Sequence, residues 1–162
     1  MLNFALITAT YAFFLVINLS YAHAISNTAD VKDIGVNERL GNYIPQDLKF
    51  NDEEGNSVRL KDFFQGGKPV ILTPVYYECP RLCTFTLNGV LDVVNNINSI
   101  TLGKDFRIVS VSFNPSETPI LAKAKAENYH KALNKRQSAE LDWHFLTGDA
   151  ENIRKLTEAL GF

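Results

Sequence analysis

Between Val70 and Leu160 the sequence alternates between two periods, and that alternation leaves few architectures open. "VILTPVYY" (70–77) is apolar on both faces and rich in β-branched residues, as a buried strand is. Leu87, Val90, Leu91 and Val94 then recur at helical spacing, with Asn88, Asn95, Asn96 and Asn98 mostly on other faces. This predicts an amphipathic helix over about 81–98. Gly103 and Lys104 break the chain, and "FRIVSVSF" (106–113) is a second buried strand. Thr118 followed by Pro119 gives an N-cap and a proline at the first helical position. Ala122, Ala126, Tyr129 and Leu133 supply that helix with its apolar stripe. "WHFLT" (143–147) is a third strand. Asp149 caps a last helix that carries Ile153, Leu156 and Leu160 on one face, and Gly161 suits its end. Strands alternating with helices imply an α/β fold layered around a mostly parallel sheet.

Upstream, "DLKFNDEEGNSVRL" alternates on both sides of a turn-rich centre and predicts a β-hairpin. "KDFFQGGKP" is expected to be a short turn and breaker. Pro74 places its strand at an edge, at a bulge, or where no N–H is needed. Residues 25–43 are polar and irregular, a flexible leader before a domain over 44–162. Residues 1–24 have the pattern of a secretory signal peptide. An apolar run from Phe4 to Leu19 precedes the small-x-small site Ala22-His23-Ala24. The n-region "MLN" lacks Lys and Arg, so an uncleaved anchor through residues 4–19 is the competing expectation, and the cleavage site favours removal. Either way the remainder is exported, and cleavage would remove His23.

The chain has 162 residues, enough for one domain with a real core. Its net charge is -2 with no long basic run, which argues against nucleic acid as a partner.

The chain holds 2 cysteines, Cys79 and Cys83, in "YYECPRLCTFTLNGVLD". They follow the strand 70–77, at the carboxyl end of a sheet, where α/β sites form. With a helix starting near Pro80, Cys79 is about its N-cap and Cys83 lies one turn in, so both sulfurs can converge. Free N–H groups and the positive dipole end favour thiolate, and Arg81 is either a further source of positive field or a solvated side chain. Thiolates attack disulfides and bind soft metals such as Cu(I). An inert disulfide here would close a tiny loop and stabilise little. Two buried thiols fit poorly with export. A four-ligand zinc site would need further Cys or His close by in sequence.

"VYYECPRLCTFTLNGVLD" resembles the cysteine motif of the Sco/SenC family, and "VSFNPSETP" is similar to that family's strand-end motif. "WHFLTGD" and "DEEGNSVRLKDFFQGGKPVIL" resemble further family segments, so the likeness runs from about residue 44 to 162. The resemblance implies a thioredoxin-like fold. It also implies an exported protein, in the periplasm or at the outer face of the inner membrane. Such a protein binds copper through both cysteines and a histidine. Cys79 and Cys83 are then the copper or redox thiols. The implied partner is the apo copper-site subunit of cytochrome c oxidase, or another copper acceptor.

Two departures stand out. The family's acidic residue before the proline is Asn114, which can still serve as a turn residue. The family's histidine ligand lies in a hairpin beyond Phe162, so the expectation is a domain lacking its last strands, a final helix and the third ligand. Such a sheet would keep an unpaired edge with uncovered apolar neighbours. His144, within a strand, is expected to find a hydrogen bond rather than a metal, and His130 to be solvated. The leading expectation is a copper chaperone. Its alternative is a thiol-disulfide oxidoreductase in which Cys79, expected nearer the helix terminus and solvent, attacks and Cys83 resolves. A redox-sensing or interaction protein is a third class.

Overall fold

The computed structural model describes residues 35–79, 82–134, 136–137 and 141–162. The expected signal or anchor, the leader as far as residue 34, Pro80 and Arg81 lie outside the described residues. The chain divides into Met1–Gly35 and a compact unit Val36–Phe162, and all the elements below belong to the second.

Strands β1 (Lys49–Asn51) and β2 (Ser57–Arg59) form an antiparallel hairpin. Asp52 closes its turn by accepting from the N–H groups of Glu54 and Asn56. Strand β3 (Val70–Val75), helix α1 (Leu82–Asn96), strand β4 (Arg107–Ser112), helix α2 (Pro119–Ala132), strand β5 (Trp143–Leu146) and helix α3 (Ala150–Leu160) follow in order. The sheet runs β3-β4-β5 and is parallel throughout. The expected α/β fold with its N-terminal hairpin is therefore present.

Helices α2 and α3 begin or end on the predicted chemistry. The Leu121 N–H donates to the Thr118 hydroxyl at 3.5 Å, with Pro119 next in the chain. The Asn152 N–H donates to the Asp149 carboxylate at 2.9 Å. Gly161 closes α3 in the left-handed region at φ 93°.

Two apolar layers flank the sheet. On one face Val75, Ile108, Trp143 and Phe145 meet Leu87 and Val94 of α1 and Ala122, Ala126 and Tyr129 of α2. On the other face Val109, Val111 and Leu146 meet Phe50 of the hairpin and Ile153 and Leu156 of α3. Leu60 and Phe63 join this second layer. They belong to a 3-10 segment, Leu60–Gly67, where a turn and breaker were expected. Asp62 accepts from the Arg59 N–H at 2.9 Å and starts the segment. The breaker falls at Gln65–Gly66, where the helical angles are lost, and Gly67 follows at φ 70°.

Among the described residues no strand pairs with the outer side of β3, where Ile71 is 43% exposed. This matches the expected open edge. Arg107 N–H donates to the Pro69 carbonyl and Phe113 N–H to that of Val75, so odd-numbered carbonyls face β4. By the two-residue repeat the Pro74 nitrogen faces the open side, where no ladder bond is lost. The outer side of β5 is covered instead. Thr147 and Asn51 exchange backbone hydrogen bonds at 2.7 and 2.9 Å, and the Phe145 N–H donates to Glu53 at 3.2 Å. Among the described residues, no helix is long and apolar enough to cross a membrane.

Candidate functional site

The site lies where β3 ends. Beyond Val75 the chain leaves the sheet, and its next amide groups need other partners. Tyr76 donates its N–H to the Cys83 sulfur at 3.4 Å. Tyr77 and Glu78 donate theirs to the two oxygens of Glu117, each at 2.9 Å. Tyr77 is pinned at its far end too, since its hydroxyl reaches the carbonyls of Ser110 and Leu146 at 3.0 and 2.9 Å. Burial is the main reason its phenol is held well above the usual value.

Cys79 follows two residues later. Its sulfur accepts the Cys83 N–H at 3.4 Å, and its carbonyl accepts the Thr84 hydroxyl at 3.1 Å. The Tyr76 phenol hydrogen-bonds Cys79, and that bond raises the phenol pKa. Both cysteines are thiols. The chain thus brings Cys79 and Cys83 together, as the spacing predicted.

Two details differ from expectation. Cys79 is buried and Cys83 is the more exposed of the pair, so Cys79 is not the sulfur nearer solvent. The Cys83 thiol is also pushed up, not down. Burial is the largest cause, the Tyr76 N–H opposes it, and Cys79 and Glu117 add to it. Desolvation therefore outweighs the helix terminus at this sulfur.

Asn114 does serve as a turn residue, accepting the Ser116 N–H on Oδ1 at 3.0 Å. His144 is paired with Val109, itself level with Leu72, far back along the strands from the cysteines. Its ring nitrogens lie 3.4 Å from Glu53 and 3.2 Å from Asp142. His130 is not simply solvated, because its Nε2 bonds the Trp143 carbonyl at 2.8 Å. Glu117 was part of a quoted motif, yet its contact with the thiol loop went unforeseen. The residues it joins lie 39 and 40 positions away. Among the described residues no group of three or more His, Cys, Asp or Glu could hold a metal ion. Two sulfurs alone fit a soft ion of low coordination number, and not one that requires four ligands.

A parallel sheet with helices on both faces, and a thiol pair where the first parallel strand turns into a helix, define a thioredoxin-like protein. A family model described as SCO1/SenC matches residues 37–162, and the chain belongs to that family. No curated protein matches it significantly. Among solved structures, a candidate electron transfer protein of Aquifex aeolicus VF5 is 29% identical, with a TM-score of 0.60. That match covers 76% of this chain and 72% of the other. The copper-bound ScoI of Arabidopsis thaliana is 21% identical, covering 73% of this chain and 66% of its own, with a TM-score of 0.56. The copper-bound ScoI of Bradyrhizobium japonicum is 22% identical, covering 73% and 67%, with a TM-score of 0.52. At these identities the two ScoI proteins speak to the fold.

Proposed function

We propose that this protein carries Cu(I) on Cys79 and Cys83 and hands it to an acceptor during assembly of the copper centre of cytochrome c oxidase. The observation that carries the reading is the pair of amide donors aimed at the two sulfurs, Tyr76 N–H at Cys83 and Cys83 N–H at Cys79. Such donors favour negative sulfur, the form that binds Cu(I), and at Cys83 the Tyr76 N–H works against the burial that raises the thiol pKa. Membership of the SCO1/SenC family and the copper in the two ScoI structures support the choice of metal. The copper is cargo, held by two thiolates and released when an acceptor offers more or better-placed ligands. Export on residues 1–24, with a domain over 44–162, would place this exchange outside the cytoplasm.

Competition with a chromophoric Cu(I) chelator tests the site. Reduced protein should bind about one Cu(I) per chain, and Cys79→Ser or Cys83→Ser should abolish tight binding. Parent-like affinity in both single variants would end the assignment. The oxidoreductase reading uses the same sulfurs and is separated by exchange with a model disulfide. A chaperone should exchange slowly and be blocked by stoichiometric Cu(I), whereas rapid turnover indifferent to copper would favour the oxidoreductase.

A further inference from the structure

Three successive amides leave the end of β3, and they are shared between two acceptors. Tyr76 points at the Cys83 sulfur, while Tyr77 and Glu78 point at the two oxygens of Glu117. Glu117 is 7% exposed and accepts a third bond from the Ser112 hydroxyl at 2.5 Å. Every one of these partners is a donor, which suits a carboxylate with two acceptor oxygens. Glu117 is itself held from the end of β4 and the start of α2. Its own N–H donates to the Asn114 carbonyl at 3.1 Å, and Thr118, the next residue, caps α2. The carboxylate therefore ties the loop before Cys79 to two separate elements.

We infer that Glu117 is the positioning residue of the thiol pair, fixing the loop from Tyr76 to Cys79 so that both sulfurs present to one acceptor atom. This rests on the reading that Cys79 and Cys83 work together, and it assigns Glu117 no contact with the cargo. An amide at this position keeps the shape but turns an NH2 group toward one of the backbone donors. One arm of the cradle is lost, the loop is freed, and the Tyr76 N–H leaves its alignment on Cys83.

Phenylarsine oxide is a suitable probe because it reads convergence without copper. It condenses with two thiols: two As–S bonds form, both thiol protons leave with the arsenic-bound oxygen as water, and arsenic stays trivalent. Its affinity should fall at least tenfold in Glu117→Gln and stay at the parent value in His144→Ala. The latter disturbs the opposite layer and serves as a control for general loss of stability. Unchanged affinity in Glu117→Gln, or equal loss in both variants, overturns the inference. If Glu117→Gln does not fold, hydrogen exchange in the parent decides. The Tyr77 and Glu78 amides should be strongly protected, and exchange at the rate of unprotected amides overturns the inference. A parent that takes the arsenical tightly but does not bind Cu(I) would refute the copper reading and leave this one standing.

Discussion

Gly161 shows how one side chain's absence holds two segments together. Its φ of 93° suits glycine, and its carbonyl accepts the Asn37 N–H at 2.8 Å. A Cβ there would come within 1.9 Å of the Asn37 carbonyl oxygen, a contact only backbone movement can relieve. Gly161→Ala therefore combines left-handed strain of about 1–2 kcal/mol with loss of a hydrogen bond worth about 1 kcal/mol. The unfolding free energy should fall by about 2–3 kcal/mol, read as a lower urea midpoint at constant slope. A variant as stable as the parent would mean that residues around Asn37 do not rest on the end of α3. Tyr77 makes the opposite case, a residue where an added group is needed. Tyr77→Phe leaves the carbonyls of Ser110 and Leu146 without the hydroxyl deep in the sheet, and about 1–3 kcal/mol should be lost in the same measurement.

At the scale of elements, the helices were legible because a 3.6-residue period and a cap are both local signals. Leu87 and Val94, Ala122 and Ala126, and Ile153 and Leu156 are buried on the faces their spacing indicated. The Thr118 cap is long at 3.5 Å, so Thr118→Ala should cost near the lower end of about 0.5–2 kcal/mol. A thermal melt showing no loss would remove the cap from the account. The 3-10 segment was less legible, since one or two turns give too few residues to show a period, and its Gly66-Gly67 pair signals a break. The strand-to-helix position of the thiols was plain from sequence. Their environment was not. Desolvation of Cys83 and the Glu117 cradle depend on bringing the ends of β3 and β4 side by side, which no local pattern reports.

Across the whole unit from Val36 to Phe162, the hairpin is fastened to the outer side of β5 through an ionic cluster remote from the thiols. Glu53, from the hairpin turn, accepts the Phe145 N–H and lies 3.4 Å from His144 Nδ1. Asp142 lies 3.2 Å from His144 Nε2 and is paired with Arg107 and Lys68, and Phe63 packs its ring on the imidazole. Burial opposes the His144 charge, but the bonds to Glu53 and Asp142 win and raise its pKa above the usual 6.5. Burial also opposes the charges on Glu53 and Asp142. Hydrogen bonds and charge from His144, with Arg107 at Asp142, still hold both carboxyls below their usual 4.5 and 3.8. A raised histidine contributes stability that is complete below the unfolded value and lost as pH rises through the folded one. Lowered carboxylates contribute stability that is complete above the unfolded value and lost as pH falls through the folded one. The two windows overlap between about 4.5 and 6.5, where the cluster is fully charged on both sides. Melting temperature against pH should therefore peak in that interval and decline toward alkali as His144 loses its proton. In His144→Gln the alkaline decline should flatten, while the acid decline persists through Asp142 and Arg107. An alkaline slope identical to the parent's would show that His144 does not carry a stabilising charge between the hairpin and the sheet.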